Sequence, residues 1–317
     1  MAHERSDDAD YDVVVVGGGP AGCSVGVFTA RYGLTTAIFD RGRSSLGLCG
    51  HLENYLGFPA GIDIETFYAL MHDHAEEAGC ERIPDLVELV TRRDEGRGFV
   101  VEPQEGEPVT ATRVVAATRY DGEYLRPLGG DAMFETREYD GEQREFFDND
   151  YADADGTTPV EGLYVASPSA AADRQAIITA GRGARVGLAV VEAGRREQGY
   201  PAEMAPRYDW VRQESSRPPE WDTRDRWREW AEEKRPEDHE LDEERWVALR
   251  EAEIDRRLAT YVTDDERDQL AARGQERLLE HVDDERILAY ARNLESAGEQ
   301  SPAEPAVSKK REQSVEH

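Results

Sequence analysis

Lysine is nearly missing from this chain: Lys234, Lys309 and Lys310 stand against 35 arginines. Cations as a class are short too, with 38 Lys and Arg facing 68 Asp and Glu, a formal net charge of −30. A phosphate backbone is held by clustered cations that displace its counterions, so this balance speaks against a nucleic-acid binder and against docking on anionic lipid. No apolar run approaches the ~20 residues that cross a bilayer. The opening MAHERSDDAD is polar and acidic, unlike a secretory leader. A cytoplasmic location is the expectation. A compact chain of this charge repels itself in dilute buffer, whereas ~1 M salt, with its Debye length of ~3 Å, screens the repulsion. An acid-rich, lysine-poor chain is therefore expected of a halophilic cell; an ordinary acidic protein is the plainer alternative.

Cysteine is scarce as well. Cys23, Cys49 and Cys80 are odd in number and widely spaced, so no disulfide framework, zinc knuckle or CxxC redox pair is available. The apolar share is 38%, below the usual ~45–50% but enough for a packed core in part of the chain. At 317 residues the length suits one large domain or two ordinary ones. Composition shifts along the chain: residues 11–196 hold the β-branched runs and most glycines, while all five tryptophans lie beyond residue 200. The expected organisation is an acidic tail over 1–10, a first domain over 11–196, a helical acidic extension over 205–297 and a disordered tail over 298–317. Gly and Pro punctuate the 194–206 linker.

Within the first region, Tyr11 and Asp12 lead into four valines, the pattern of a strand buried on both faces of a parallel sheet. A glycine-rich turn follows, then a helical stretch to about Tyr32 that Gly33 stops. Residues 34–40 read as a second strand. A helix is expected over 63–79, with Asp63 as N-cap and Gly79 as stop. Segments 86–93, 97–103 and 110–118 read as short antiparallel strands, 131–158 as an unpatterned acidic stretch, 162–166 as a strand and 173–193 as a helix. Beyond residue 241 three similar helices open on acids, which suits the positive end of a helix dipole; Thr263 and Glu266 fit a capping box.

The strongest chemical signal is strand, Gly17-x-Gly19-x-x-Gly22, helix, then Asp40 at the end of the next strand. Gly17 allows the tight turn, Gly19 lets a pyrophosphate approach the backbone, and Gly22 permits close helix–strand packing. The helix N-terminus offers free N–H groups and a partial positive charge to phosphates. Asp40 lies 21 residues beyond Gly19, where a carboxylate can take a ribose hydroxyl pair. This context points to a dinucleotide site; the alternative is a Gly-rich turn that has lost its ligand.

Three separated segments carry a resemblance: DVVVVGGGPAG at 12–22, LENYLGFPAGI at 52–62 and DRQAIITAGRG at 173–183. Together the chain resembles the thioredoxin-reductase-like flavoproteins over about residues 11–195. The resemblance implies an α/β fold: a Rossmann-like FAD-binding domain, a parallel sheet with a β-meander layer, followed here by an α-helical C-terminal extension. It implies FAD as cofactor. Gly17, Gly19, Pro20, Ala21 and Gly22 would hold the pyrophosphate, and Asp40, with Arg41 beside it, the adenosine ribose. Asn54 would lie near the flavin, with Arg174, Gln175 and Ala176 covering the ring and ribityl side.

The departures from that pattern bear on function. The family inserts an NADPH-binding domain, which carries its redox cysteine pair, between the halves of the FAD domain. Here Leu125–Asp131 is followed within about thirty residues by Gly162-Leu163-Tyr164-Val165-Ala166, with no second GxGxxG. One βαβ unit alone takes ~30 residues. The family's Ala-Thr-Gly turn stands as Ala117-Thr118-Arg119, and its ribityl-binding Gly-Asp as Ser167-Pro168. The expected function is an FAD-binding oxidoreductase whose reductant comes from a small-molecule or protein redox partner; a homodimer is open to it. The rival is a non-catalytic, degenerate flavoprotein acting as a binding or regulatory partner. A third reading, an NAD-binding Rossmann protein, is disfavoured by the Pro-Ala in the loop.

Four further groups merit placement. Cys49, in Leu48-Cys49-Gly50-His51, is a candidate flavin-side thiol with His51 as base; an unrelated, semi-buried Cys is the plainer reading. Cys23 and Cys80 read as packing. His72 and His74, ~200° apart on a helix, cannot share a metal, and with Asp73 and Glu76 they read as a solvated face. Trp210, Trp221, Trp227 and Trp230 form either a small core of the C-terminal region or a lid over the flavin, the lid predicting contacts between 205–232 and the first domain.

Overall fold

The computed structural model describes residues 9–42, 44–94, 97–119, 122–167, 175–238 and 241–299. The valine run forms β1 (Tyr11–Val16), and Val13, Val14, Val15 and Val16 are all buried. Alternation across the strand sends Val14 and Val16 into one core with Phe39, Phe99 and Val114, and Val13 and Val15 into another with Val25, Val186 and Val190. A strand with apolar packing on both faces is the central member of a parallel sheet.

From β1 the chain enters α1 (Pro20–Tyr32), which Gly33 ends in the left-handed region at φ 102°. It then forms β2 (Thr36–Phe39) and a small antiparallel pair, β3 (His51–Leu52) with β4 (Ile62–Asp63). Helix α2 (Ile64–Glu77) starts as expected, Asp63 Oδ1 accepting from Thr66 N at 2.8 Å. Next come β5 (Glu81–Ile83), β6 (Val87–Arg92), β7 (Phe99–Pro103) and β8 (Val109–Ala117). The parallel part of the sheet runs β5-β2-β1-β8, and β6-β7-β8 is an antiparallel meander. The nine-residue β8 was expected as a meander strand only. In fact one edge pairs with β1 over 111–116, while the other is shared: β7 takes 109–111, and β11 (Leu163–Ser167) takes 114–117 in parallel.

Between β8 and β11 lies a correction. After α3 (Arg126–Gly129), the acidic stretch 131–158, expected to lack pattern, holds a hairpin, β9 (Phe134–Tyr139) with β10 (Glu142–Phe147). Its two-residue turn is Asp140-Gly141, both at positive φ, the local chemistry that a primed hairpin turn requires. After β11, α4 (Ala176–Glu197) runs alongside α1, Gly183 against Ala21 and Gly187 against Val25 and Phe28. A Cβ at Gly183 would overlap Ala21 O, so the two backbones touch there.

The rest comprises β12 (Arg212–Gln213), α5 (Arg224–Lys234), α6 (Glu243–Leu258), β13 (Tyr261–Val262), α7 (Asp264–Leu279) and α8 (Asp284–Glu299). Asp242 caps α6, and Thr263 with Glu266 forms the reciprocal capping box. The chain divides into two compact units, 1–267 and 268–317. In the second, which takes α8 and all of α7 after Arg267, Leu278, Leu279, Leu288 and Leu294 are exposed.

The tryptophans belong to a small core of the C-terminal region, one of the two expected readings. Trp221, Trp227 and Trp230 stack on one another, and buried Trp246 packs with Tyr200, Met204 and Leu249. Contacts from the extension to the first region do exist, but at the C-terminal ends of α1 and α4: Arg31 with Asp209, and Arg195 with the carbonyls of Met204 and Ala205. A helix of thirteen residues puts that end about 18 Å from the glycine turn. Trp210 is exposed.

Candidate nucleotide site

The site begins with a steric argument at three glycines. Gly17 adopts φ +117°, and a Cβ there would stand 2.6 Å from Ala117 O. A Cβ on Gly22 would overlap Gly17 O, so helix and turn close only without one. A Cβ on Gly18 would overlap the Asp40 carboxylate; the sequence reading gave Gly18 no role. Gly19 is the N-cap residue of α1 and makes no side-chain cap. Pro20, buried at the first position, has no N–H to leave unpaired. The first-turn N–H groups of Ala21 and Gly22 therefore have no intrahelical partner. Beside Gly19 the nearest neighbour is Ser44 Oγ, 3.4 Å from where a Cβ would sit.

Asp40 follows β2 and lies over this turn, almost fully buried. Its Oδ1 accepts from Gly42 N at 2.9 Å. Its Oδ2 is 3.1 Å from His72 Nε2, which also lies 3.2 Å from Gly18 O. Burial alone would raise the carboxyl, but the bonds from His72 and Gly42 outweigh it and hold Asp40 below the ordinary 3.8. His72 was expected on a solvated face, and the structure corrects this. Ile64, Phe67, Met71 and Ala75 of α2 face inward, and His72 belongs to that stripe at helical spacing. Tyr68 packs against the His72 ring at 5.7 Å, and its hydroxyl is buried without a hydrogen-bond partner among the described residues. Burial raises its pKa above the ordinary 10.0.

A second group of expected residues gathers through one long-range bond: Asn54 Nδ2 donates to Gln175 Oε1 at 2.9 Å. Gln175 immediately precedes α4, and Ala176 is buried with Leu52 and Phe67. Arg41 is exposed. Arg174 and Pro168 lie outside the described residues. Arg119 Nη1 donates to Ser45 Oγ at 3.0 Å, and Ser167, which ends β11, is buried beside Ala117.

Cys49 is exposed, and His51 faces Glu53 at 3.9 Å rather than the thiol. No hydrogen bond joins Cys49 to His51 among the described residues, so a Cys–His pair is not formed. Cys23 and Cys80 are buried, as expected, and burial pushes both thiols up to about 12. Among the described residues no cluster of His, Cys, Asp and Glu could hold a metal, and no helix is long and apolar enough to cross a membrane.

The arrangement offers amide donors at a helix end and a buried, pre-oriented carboxylate at its flank, a combination suited to a sugar-linked diphosphate. No protein-family model matches the chain. In sequence it is 34% identical over 79 residues to a thioredoxin reductase of Aquifex aeolicus, covering 24% of each protein. It is 30% identical over 115 residues to a thioredoxin reductase of Bacillus subtilis, covering 35% of each. The matched stretches thus span about a quarter to a third of those relatives. A solved thioredoxin reductase from Gloeobacter violaceus overlays 64% of this chain and 98% of its own at 18% identity and a TM-score of 0.47. One from T. acidophilum overlays 59% of this chain and 100% of its own at 18% identity and a TM-score of 0.46.

Proposed function

We propose that this chain is an FAD-binding oxidoreductase related to thioredoxin reductases, working without that family's NADPH-binding insert and without its redox cysteine pair. The observation that carries the reading is the uncapped N-terminus of α1 behind a turn in which Gly17, Gly18 and Gly22 have no room for a Cβ, with the Asp40 carboxylate fixed at its flank. Gly17, Gly19, Pro20, Ala21 and Gly22 would hold the pyrophosphate and Asp40 the ribose. Asn54, Gln175 and Ala176, with Arg174 and Arg41, would line the remainder. The fit is supported by the open side of Gly19 and by the buried, unpartnered hydroxyl of Tyr68. When bound, the flavin would supply hydride and electron transfer; the chain's own residues bind and orient it.

The nucleotide-binding domain is taken as 11–196, with 205–297 as a helical extension, and the composition suits a cytoplasmic protein of high-salt surroundings. Reductant would come from free nicotinamide nucleotide, a small substrate or a partner protein. With three widely spaced cysteines, the chain should not pass electrons to a protein disulfide by the family's route.

One observation favours the non-catalytic rival. Arg119 stands where the family's turn has glycine and is tied to Ser45, while Ser167 replaces part of the ribityl-binding pair. The deciding experiment is a visible spectrum of protein purified in molar salt, followed by FAD titration and addition of NADH or NADPH. Flavin bands that bleach on reduction are expected. A colourless protein that FAD neither binds nor stabilises overturns the reading, and substantial thioredoxin reduction with NADPH overturns the disulfide statement.

A further inference from the structure

Where the extension meets α1, the charges do not balance. The guanidinium carbons of Arg256, Arg207 and Arg195 lie 4.3, 5.3 and 5.8 Å from the centre of the Tyr32 ring. Arg195 is fully engaged: its donors reach the carbonyls of Ala205 and Met204, the Tyr32 hydroxyl and Glu253 Oε2. The other Glu253 oxygen takes Arg257 Nε at 2.7 Å. Asp209 is held by two bonds from Arg31. Both carboxylates at this junction are therefore spent.

Two guanidiniums are left over. Arg256 gives Nη1 to Tyr32 O at 2.9 Å, but its Nε is buried with no partner among the described residues. Arg207, half-buried, has no hydrogen bond or ion pair among the described residues. Burial and then the neighbouring Arg256 charge hold its pKa below the ordinary 12.5. Glu253 still attracts Arg207 through space, but among the described residues no carboxylate forms an ion pair with either arginine.

We propose that this junction is a small-anion site, formed by Arg207 and Arg256 beside Tyr32, for a halide or a compact oxyanion. Guanidinium donors recognise negative charge through charge-assisted bonds. A water molecule could satisfy the Arg256 Nε, but only an anion also relieves the repulsion between the two cations. The occupant would tie α6 to the end of α1 and so fasten the extension to the nucleotide-binding region. The site lies at the far end of α1 from the glycine turn and is independent of the flavin reading.

The test measures the unfolding midpoint of the full chain at fixed ionic strength, exchanging gluconate for chloride or for phosphate. R207Q and R256Q are compared with the surface control R144Q. Wild type and R144Q should gain about 2–3 °C at tenfold excess over the dissociation constant, saturably, and R207Q and R256Q should lose most of that gain. A response to chloride identifies a halide, and one to phosphate at lower concentration identifies an oxyanion. Excess chloride-35 line broadening by the wild type, removed by phosphate, reports the site even where a variant fails to fold. Equal midpoints in all three salts, or a full anion response retained in R207Q, overturn the proposal, as does the absence of both line broadening and a phosphate response.

Discussion

His72 Nε2 stands 3.1 Å from Asp40 Oδ2, on a side chain that the helical pattern of α2 turns inward. Its second neighbour, Gly18 O at 3.2 Å, is also an acceptor, so Nε2 carries the proton. With Gly42 N on Oδ1, both oxygens of Asp40 are directed by the protein. A carboxylate fixed in this way is organised before ligand arrives.

Replacing His72 should therefore weaken nucleotide binding without unfolding the chain. A hydrogen bond to a charged group contributes about 1.5–3 kcal/mol, so His72→Ala should lower FAD affinity by about tenfold or more, and His72→Gln, which keeps a donor, should recover part of it. Fluorescence titration of FAD checks this. Equal affinities for all three proteins would remove His72 from the site.

The glycines of the turn should separate into three behaviours. Gly22→Ala places a methyl group on the backbone oxygen of Gly17, which cannot move away, and should abolish folding or binding outright. Gly18→Ala meets Asp40 at its Cβ as well as its carboxylate, so the turn itself must shift; binding should fall together with a part of the stability. Gly33→Ala meets nothing within 4 Å but keeps φ +102°, so only stability should suffer, by about 1–2 kcal/mol. Thermal melts alongside FAD titrations distinguish the three.

Much of this was legible in local sequence. The valine run, the glycine spacing and the Asp63 and Thr263 caps are decided within a few residues, and the structure has them. The shared edge of β8 was not legible, because pairing of 114–117 with β11 is settled by chain some fifty residues away. The Asn54–Gln175 bond spans 121 residues and is equally invisible to periodicity. The hairpin at Asp140-Gly141 was missed although its turn dipeptide was present, since its strands expose charged residues on both sides and show little alternation. His72 was misread because acidic neighbours were weighed above the 64, 67, 71, 75 stripe. The tryptophans left a core and a lid both open, because an aromatic cluster reveals burial but not the surface it covers; the structure has the core.

The Arg195–Glu253 pair should anchor the extension. Both side chains are almost without solvent contact. Removing one partner of a buried pair strands the other charge, at a cost of about 3–5 kcal/mol. Glu253→Gln should show that loss in urea unfolding, and Arg195→Met with Glu253→Leu together should cost less than the single change. A single variant as stable as wild type would mean that the pair contributes little.

Glu251 offers a pH signature of the same region. It accepts from Arg224, Arg228 and Arg250 at 2.9–3.2 Å. The Arg228 bond first, against some burial, and then the other arginines bring its carboxyl down from 4.5 to about 2. A carboxyl depressed in the folded state binds protons more readily when unfolded. Its contribution is thus complete above pH 4.5 and is lost as the pH falls towards about 2. Glu251→Gln should be less stable than wild type at neutral pH, with the gap closing across that window. Because the carboxylate is partly solvent-exposed, the gap should be modest and should shrink in high salt. Chemical unfolding at a series of pH values measures it, and a gap that widened towards acid would contradict the assignment.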